Sequence, residues 1–288
     1  MQSRRRNRRR KKQAKILPVL GGALILLGIL IFVFQSLPNL STSPSTEPSP
    51  TPKSSASPNP TASPEPSTPE EKVAYYAKNH GLSVDDYPES IIELLGRNPE
   101  TEKFVMEYPF KKDTHFTGDL EEYANCTSVP LLLQWDQRWG YSTYGDDVLG
   151  ITGCGPTCLS MVAIYMLHDT KMNPEWMAEY STENGYCVPG NGTSWTLMSK
   201  GASGLGLHST EIPLVESRVI ANLEAGNPII CIMGPGDFTQ TGHYIVLTGY
   251  EDGKLKVNDP NSQIRSEKLW DFDKIQDQIL NLWVFEKW

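Results

Sequence analysis

Cys154 sits in the run ITGCGPTCLSM, between two glycines and just ahead of a proline. That order reads as a loop turning into a helix, with Pro156 in the first turn, where its missing N–H is no loss. The first N–H groups of a helix lack intrahelical partners and carry a partial positive charge. Such a field favours thiolate over thiol and lowers a cysteine from its free value of about 8.5. The same N–H groups can hold a developing oxyanion. Gly153 and Gly155 are read as leaving room for a substrate backbone. The chemistry that suits this segment is nucleophilic attack on a carbonyl.

A thiolate nucleophile needs a partner that holds its proton and later donates it to the leaving group. Of the five histidines, His168, His208 and His243 share the globular stretch with Cys154. His168 ends the Cys154 helix, roughly 21 Å along the axis, and cannot reach. His208, in GLGLHST, is read as structural. His243 opens GHYIVLTGYEDGKLKVNDPN, where a strand would hold its ring and Gly242 frees the approach. Counted outward from the turn at Glu251–Asp252–Gly253, Asp259 comes out roughly opposite His243. A carboxylate there orients the imidazole as the third member of a triad. Gln134, in VPLLLQWDQRWG, is the candidate for a second oxyanion donor.

The elements that must position these residues follow from periodicity and punctuation. Gly155–Leu167 reads as a buried helix. Asn173 caps another helix starting at Pro174, and Leu214–Ala225 is a third, closed by Gly226. Strands are expected at Pro228–Met233, His243–Tyr250, Lys254–Asn258 and Leu282–Phe285, with a hairpin turn at 251–253. Helices first and an antiparallel sheet later define an α+β domain. Ahead of it, Glu71–His80, Pro88–Leu95 and the segment opened by Asn98–Pro99 read as short helices, the last with Pro109 just beyond its end. Phe104, Val105 and Tyr108 share a side, which suits packing onto a larger body. His80 and His115 in this stretch are read as surface residues.

Gln134-Trp135-Asp136, Gly153-Cys154-Gly155-Pro156-Thr157, Gly242-His243-Tyr244 and Asn258-Asp259-Pro260 together resemble the papain-like cysteine peptidases of the bacteriocin-processing, double-glycine type. The likeness spans roughly residues 125–288 and keeps the order Gln, Cys, His, Asp. Asn191-Gly192-Thr193-Ser194-Trp195 resembles a further segment of these relatives, and residues 87–110 look like a helical extension found ahead of such domains in Gram-positive bacteria. The resemblance implies a papain-like fold, a Cys154–His243 pair, an orienting Asp259 and an oxyanion Gln134. The best-known members sit on an export transporter and cut after two glycines. This sequence shows no nucleotide-binding motif, so that specificity is not carried over.

Blander readings stand beside these. Cys154 is otherwise a buried structural thiol. Cys158, one turn on, is a core residue, a resolving thiol or half of a disulfide. Cys154, Cys158 and His243 have a spacing that permits zinc, although no cofactor or metal is expected. Cys126, Cys187 and Cys231 leave disulfide pairing open, with Cys231 in an apolar strand. Trp135 and Trp139 line a groove or fill the core.

Residues 1–15 form a basic tail, with nine Lys/Arg between Arg4 and Lys15. The run Ile16–Phe34 has no charge, and with Leu37 it is long enough to cross a bilayer core of ~30 Å. The basic cluster places the tail in the cytoplasm and the rest outside. An uncleaved, single-pass signal anchor is therefore expected over 16–37. Residues 38–70 are rich in Ser, Thr and Pro and cannot offset their chain entropy by burial. Such a disordered linker holds the next domain up to roughly 100 Å from the membrane. Behind the tail the chain is acidic, with a net charge of −8 overall, which excludes nucleic acid as a partner.

The expected protein thus has a linker, a helical extension over 71–118 and a papain-like domain over 119–288. It is a monomer that hydrolyses peptide bonds outside the cell. A peptidoglycan amidase or endopeptidase, or a non-catalytic wall- or peptide-binding module, is the alternative on the same fold.

Overall fold

The computed structural model describes residues 65–190 and 192–286 of the 288-residue chain. The basic tail, the expected membrane anchor, nearly all of the linker and Asn191 lie outside the described residues. Among the described residues no helix is long and apolar enough to cross a membrane.

Three helices come first. In α1 (Pro69–His80), Thr68 and Glu71 form a reciprocal capping box, and Gly81 ends the helix at φ +71°, a left-handed turn that glycine adopts without strain. Helix α2 is Glu89–Arg97. Asn98 caps a 3-10 turn over Pro99–Thr101, so α3 begins only at Glu102 and runs to Lys111. Pro109 lies inside α3 rather than beyond it. A proline two residues from a helix end forfeits one backbone bond, and the turn still closes through Lys112 N–H to Tyr108 O at 2.9 Å. Val73, Ala77, Ile91, Leu94, Leu95, Phe104 and Val105 share a core with Tyr141 and Val148. Phe104 stacks on Tyr141 with ring centroids 4.3 Å apart, and the Tyr141 hydroxyl donates to Phe104 O. The extension is therefore built into the same compact unit as the rest of the described chain.

A tight hairpin, β1 (Thr143–Tyr144) and β2 (Asp147–Val148), leads into the single turn α4 (Leu149–Thr152) and then α5 (Cys154–Leu167). From Gly155 to Tyr165 every residue of α5 is buried, as expected of a helix apolar on all sides. Helix α6 (Pro174–Glu183) opens with the Asn173 side chain accepting from Trp176 N–H. A second small hairpin pairs β3 (Cys187–Val188) with β4 (Gly192–Thr193). Helix α7 (Lys200–Gly204), strand β5 (His208–Glu211) and helix α8 (Glu216–Glu224) follow. Helix α8 starts two residues later than its sequence signal because Val215 is extended.

The remaining strands are β6 (Ile229–Met233), β7 (His243–Glu251), β8 (Lys254–Asn258), β9 (Leu269–Trp270) and β10 (Ile279–Glu286), with short helices α9 (Gln263–Ser266) and α10 (Phe272–Ile275) between them. They join β5 in a six-stranded sheet of order β5-β10-β6-β7-β8-β9, antiparallel throughout. Side chains alternate between its faces. Ile230, Ile232, Tyr244, Val246, Trp283 and Phe285 pack towards α5 and α6. Ile229, Cys231, Met233, Ile245, Leu247 and Val284 pack with Val219 and Leu223 of α8. Covered on both sides, β6 is buried at all five positions. The architecture is α+β, a helical half on an antiparallel sheet.

Candidate active site

Helix α5 begins at Cys154, and its buried body fixes where that first turn points. The sulfur receives backbone hydrogen bonds from Tyr244 and Gly155 and a hydrogen bond shared with the His243 side chain. Burial works against a charged thiolate here, but these bonds and the charge of His243 outweigh it and hold the thiol below its ordinary value. Cys158, one turn along, lies in the core with none of its surface exposed. Burial, with Cys154 and Asp259 nearby, pushes its thiol well up, which suits an inert packing residue.

The two glycines beside Cys154 serve packing rather than substrate access. A Cβ on Gly155 would lie 2.5–2.7 Å from the Thr193 side chain of β4, and one on Gly153 would lie 2.5 Å from Leu149. Gly242 is the open one, with nothing within 4 Å of a Cβ.

His243 is the first residue of β7 and pairs with Met233 of β6. Its Nε2 lies 2.7 Å from Asp259 Oδ1, which leaves Nδ1 as the ring nitrogen for Cys154. The strands do not set these residues directly opposite one another. A shift in register between Leu247 and Gly249 leaves Val246 against Asn258, so Asp259 lies diagonally from His243 on the same face, within reach for long side chains. Burial opposes the imidazolium, yet the Asp259 charge and hydrogen bond, with those of Cys154, raise His243 to about 10. Asp259 has none of its surface exposed. Burial works against its charge, and His243 and Arg265 overcome this to hold the carboxyl below its usual range. The site is a chain of alternating charge running from sulfur to guanidinium, buried at His243 and Asp259 and half-buried at its two ends.

Gln134 is buried beside this pair. Its Nε2 donates to Gly150 O at 2.9 Å and Ile151 O at 3.2 Å, and its Oε1 has no partner. Its amide hydrogens are thus engaged with the turn ahead of Cys154. The Asn258–Asn261 segment is tied to the same stretch. Asn258 donates to Val129 O and Pro130 O, Gln134 N–H donates to Pro260 O at 2.7 Å, and Trp135 Nε1 donates to Asn261 O. Trp139 is a core residue.

A cleft of about 560 Å³ opens onto Cys154, His243 and Gln134. The loop Gly236–Gly242 forms one wall, and Leu94 and Arg97 of α2, with Ile151, Asn261 and Arg265, form others. Sequence reasoning missed Arg265, Leu94 and Arg97. The glycine-rich stretch before His243 was the one local signal for a cleft wall.

The other candidates lie elsewhere. None of the five cysteines is in a disulfide, and Cys231 is a core residue. His208 pairs with Glu286 on the sheet edge. His115 is exposed, as read, but its Nδ1 lies 2.8 Å from the buried Glu175. His168 is the left-handed cap of α5. Among the described residues no group of three or more His, Cys, Asp and Glu is placed to hold a metal.

Residues 126–285, more than half of the chain, match the family described as Peptidase_C39 like. The chain belongs to this family. Among solved structures it is similar to the peptidase domain of Streptococcus ComA, a bi-functional ABC transporter involved in a quorum-sensing pathway. That match has 18% identity over 56% of this chain and 99% of that one, with a TM-score of 0.40. A putative C39-like peptidase from Bacillus anthracis matches at 16% identity over 59% of this chain and 97% of that one, with a TM-score of 0.39. No curated protein matches.

Proposed function

We propose that this chain is a cysteine peptidase in which Cys154 attacks a peptide carbonyl. The observation that carries the reading is His243 held between Cys154 and Asp259 at the edge of a cleft. The thiolate adds to the carbonyl carbon, and the oxygen takes up the electron pair. The Cys154 N–H holds that oxyanion, and Gln134 Nε2 does so by exchanging its longer bond to Ile151 O. His243 then gives its Nδ1 proton to the leaving amine as the C–N bond breaks, leaving a thioester. Neutral His243 next takes a proton from water, whose oxygen attacks the thioester carbonyl; the C–S bond then breaks, releasing the acid and returning the Cys154 thiolate beside charged His243. The Asp259 carboxylate favours the charged ring and fixes its orientation throughout. An electrophilic peptide probe labels Cys154 in the wild type and fails to label the protein in Cys154→Ala. Equal labelling of the two overturns the assignment.

The cluster of nine Lys/Arg, the uncharged run Ile16–Phe34 and the Ser/Thr/Pro-rich segment support an anchored enzyme acting outside the membrane. That setting also motivates a second reading, in which the peptide is a peptidoglycan stem. Release of muropeptides from purified wall, set against cleavage of a linear peptide library, separates the two.

A further inference from the structure

Asp259 is gripped from two sides. His243 holds Oδ1, and Arg265 Nε donates to Oδ2 at 2.5 Å. Arg265 stands on α9, a helix of four residues. So short a helix does not persist by itself, and its first N–H groups need acceptors. Ser262 supplies one, accepting from Arg265 N–H. The others come from the extension, more than 160 residues away in the chain. Glu100 Oε2 accepts from Gln263 N–H at 2.8 Å and Ile264 N–H at 3.1 Å, and Glu100 Oε1 accepts from the Ser262 hydroxyl. Asn98 Nδ2 adds a bond to Asn261 O at 2.5 Å. The Ser266 hydroxyl, on the last residue of α9, donates to Ser262 O and accepts from Asp259 N–H.

We propose that Glu100 and Arg265 form a positioning relay, in which the helical extension fixes α9, α9 fixes Arg265, and Arg265 holds Asp259 against His243. The relay rests on the reading of Cys154, His243 and Asp259 as the catalytic set. Neither Glu100 nor Arg265 touches a reacting atom. The extension is on this account a working part of the active site, joined to it by hydrogen bonds as well as by the shared core.

The relay has an electrostatic consequence. The charged groups around Arg265 are Asp259 and, along the adjoining cavity, Glu100, Asp237, Arg97 and Lys268. Around Cys154 stand His243, Tyr144, Tyr244 and Cys158. Burial pushes the last three up, so they keep their protons near neutral pH. Removing the Arg265 side chain lets Asp259 turn from His243, so that the ring loses the carboxylate facing it and the imidazolium is held less firmly. It also removes positive charge from the field at Cys154. Both effects raise the pH at which the thiolate forms.

The test is the pH dependence of Cys154 alkylation by iodoacetamide in the full chain, read by mass spectrometry of the Cys154 peptide, with Tm followed for each variant. The wild-type midpoint is expected below the ordinary thiol value of about 8.5. Arg265→Met is expected to raise it by about one pH unit, a tenfold loss of rate on the acid side. Arg265→Lys, which keeps the charge, should move it less. Glu100→Ala should move it in the same direction, and Glu100→Gln less. Should the larger substitutions prevent folding, Arg265→Lys and Glu100→Gln still have to show the smaller upward shift. A low wild-type midpoint unchanged in the folded variants overturns the relay alone. A wild-type midpoint at the ordinary thiol value overturns the Cys154–His243 reading and the relay with it.

Discussion

Nε2 of His243 lies 2.7 Å from Oδ1 of Asp259, although the register of β7 on β8, which Asp259 follows, places the two residues diagonally. The contact depends on the charge of Asp259 more than on its shape, because the charge raises His243. Asp259→Asn keeps the size and removes the charge. Peptide hydrolysis is expected to fall by up to about 10⁴-fold, as for a triad whose acid is amidated. A loss of only a few-fold in kcat/KM, measured on any cleaved peptide, contradicts the role given to Asp259.

The same pair sets a window of stability. Asp259 is held below its ordinary value of 3.8, so its contribution is present above that value and lost as pH falls through the lower folded value. His243 is raised from 6.5 to about 10, so its contribution is complete below 6.5 and lost as pH rises towards 10. The stability gap between wild type and Asp259→Asn is therefore widest between pH 3.8 and 6.5 and narrows on both sides. Urea denaturation at pH 3, 5.5 and 9 reads this directly. A gap that keeps its size across the three is the contrary result.

Gln134 separates a chemical from a structural role. Its Nε2 spans Gly150 O and Ile151 O, so Gln134→Ala loses packing bonds whatever else it does. As an oxyanion donor it should also lose about 10²–10³ in kcat with KM little changed. A lower Tm with kcat within a few-fold of wild type leaves Gln134 a strut for the turn before Cys154.

Gly155 tests how Cys154 is seated. A Cβ there meets Thr193 at 2.5–2.7 Å, and such overpacking costs about 1–3 kcal/mol. Gly155→Ala is expected to lower Tm, and Thr193→Gly to recover part of the loss by removing the atoms it meets. Failure of the double variant to recover points to backbone conformation instead.

How much of this was legible in the sequence depended on range. Gly-Cys-Gly-Pro marks the start of α5 by local rules of helix initiation, and Asp252-Gly253 marks the β7–β8 turn, where both residues have positive φ. His243 and Asp259 could be brought near each other by counting from that turn. The shift between Leu247 and Gly249 could not be counted, since no residue type announces it. The helices of the extension were legible from Gly81, Pro88 and Asn98. Their contribution of Leu94, Arg97 and Glu100 to the site was not, because it depends on contacts between segments far apart in the chain. The reason for Gly155 was also hidden, because the two-residue strand that needs the space is too short to leave a periodic signal.

Cleavage of a diverse peptide library by the purified chain, compared with Cys154→Ala and His243→Ala and read by mass spectrometry, bears most directly on the central claim. The account predicts products with the wild type that disappear in both variants. Products that persist in Cys154→Ala, or their absence from fully reduced wild-type protein on linear and wall-derived peptides alike, would contradict it.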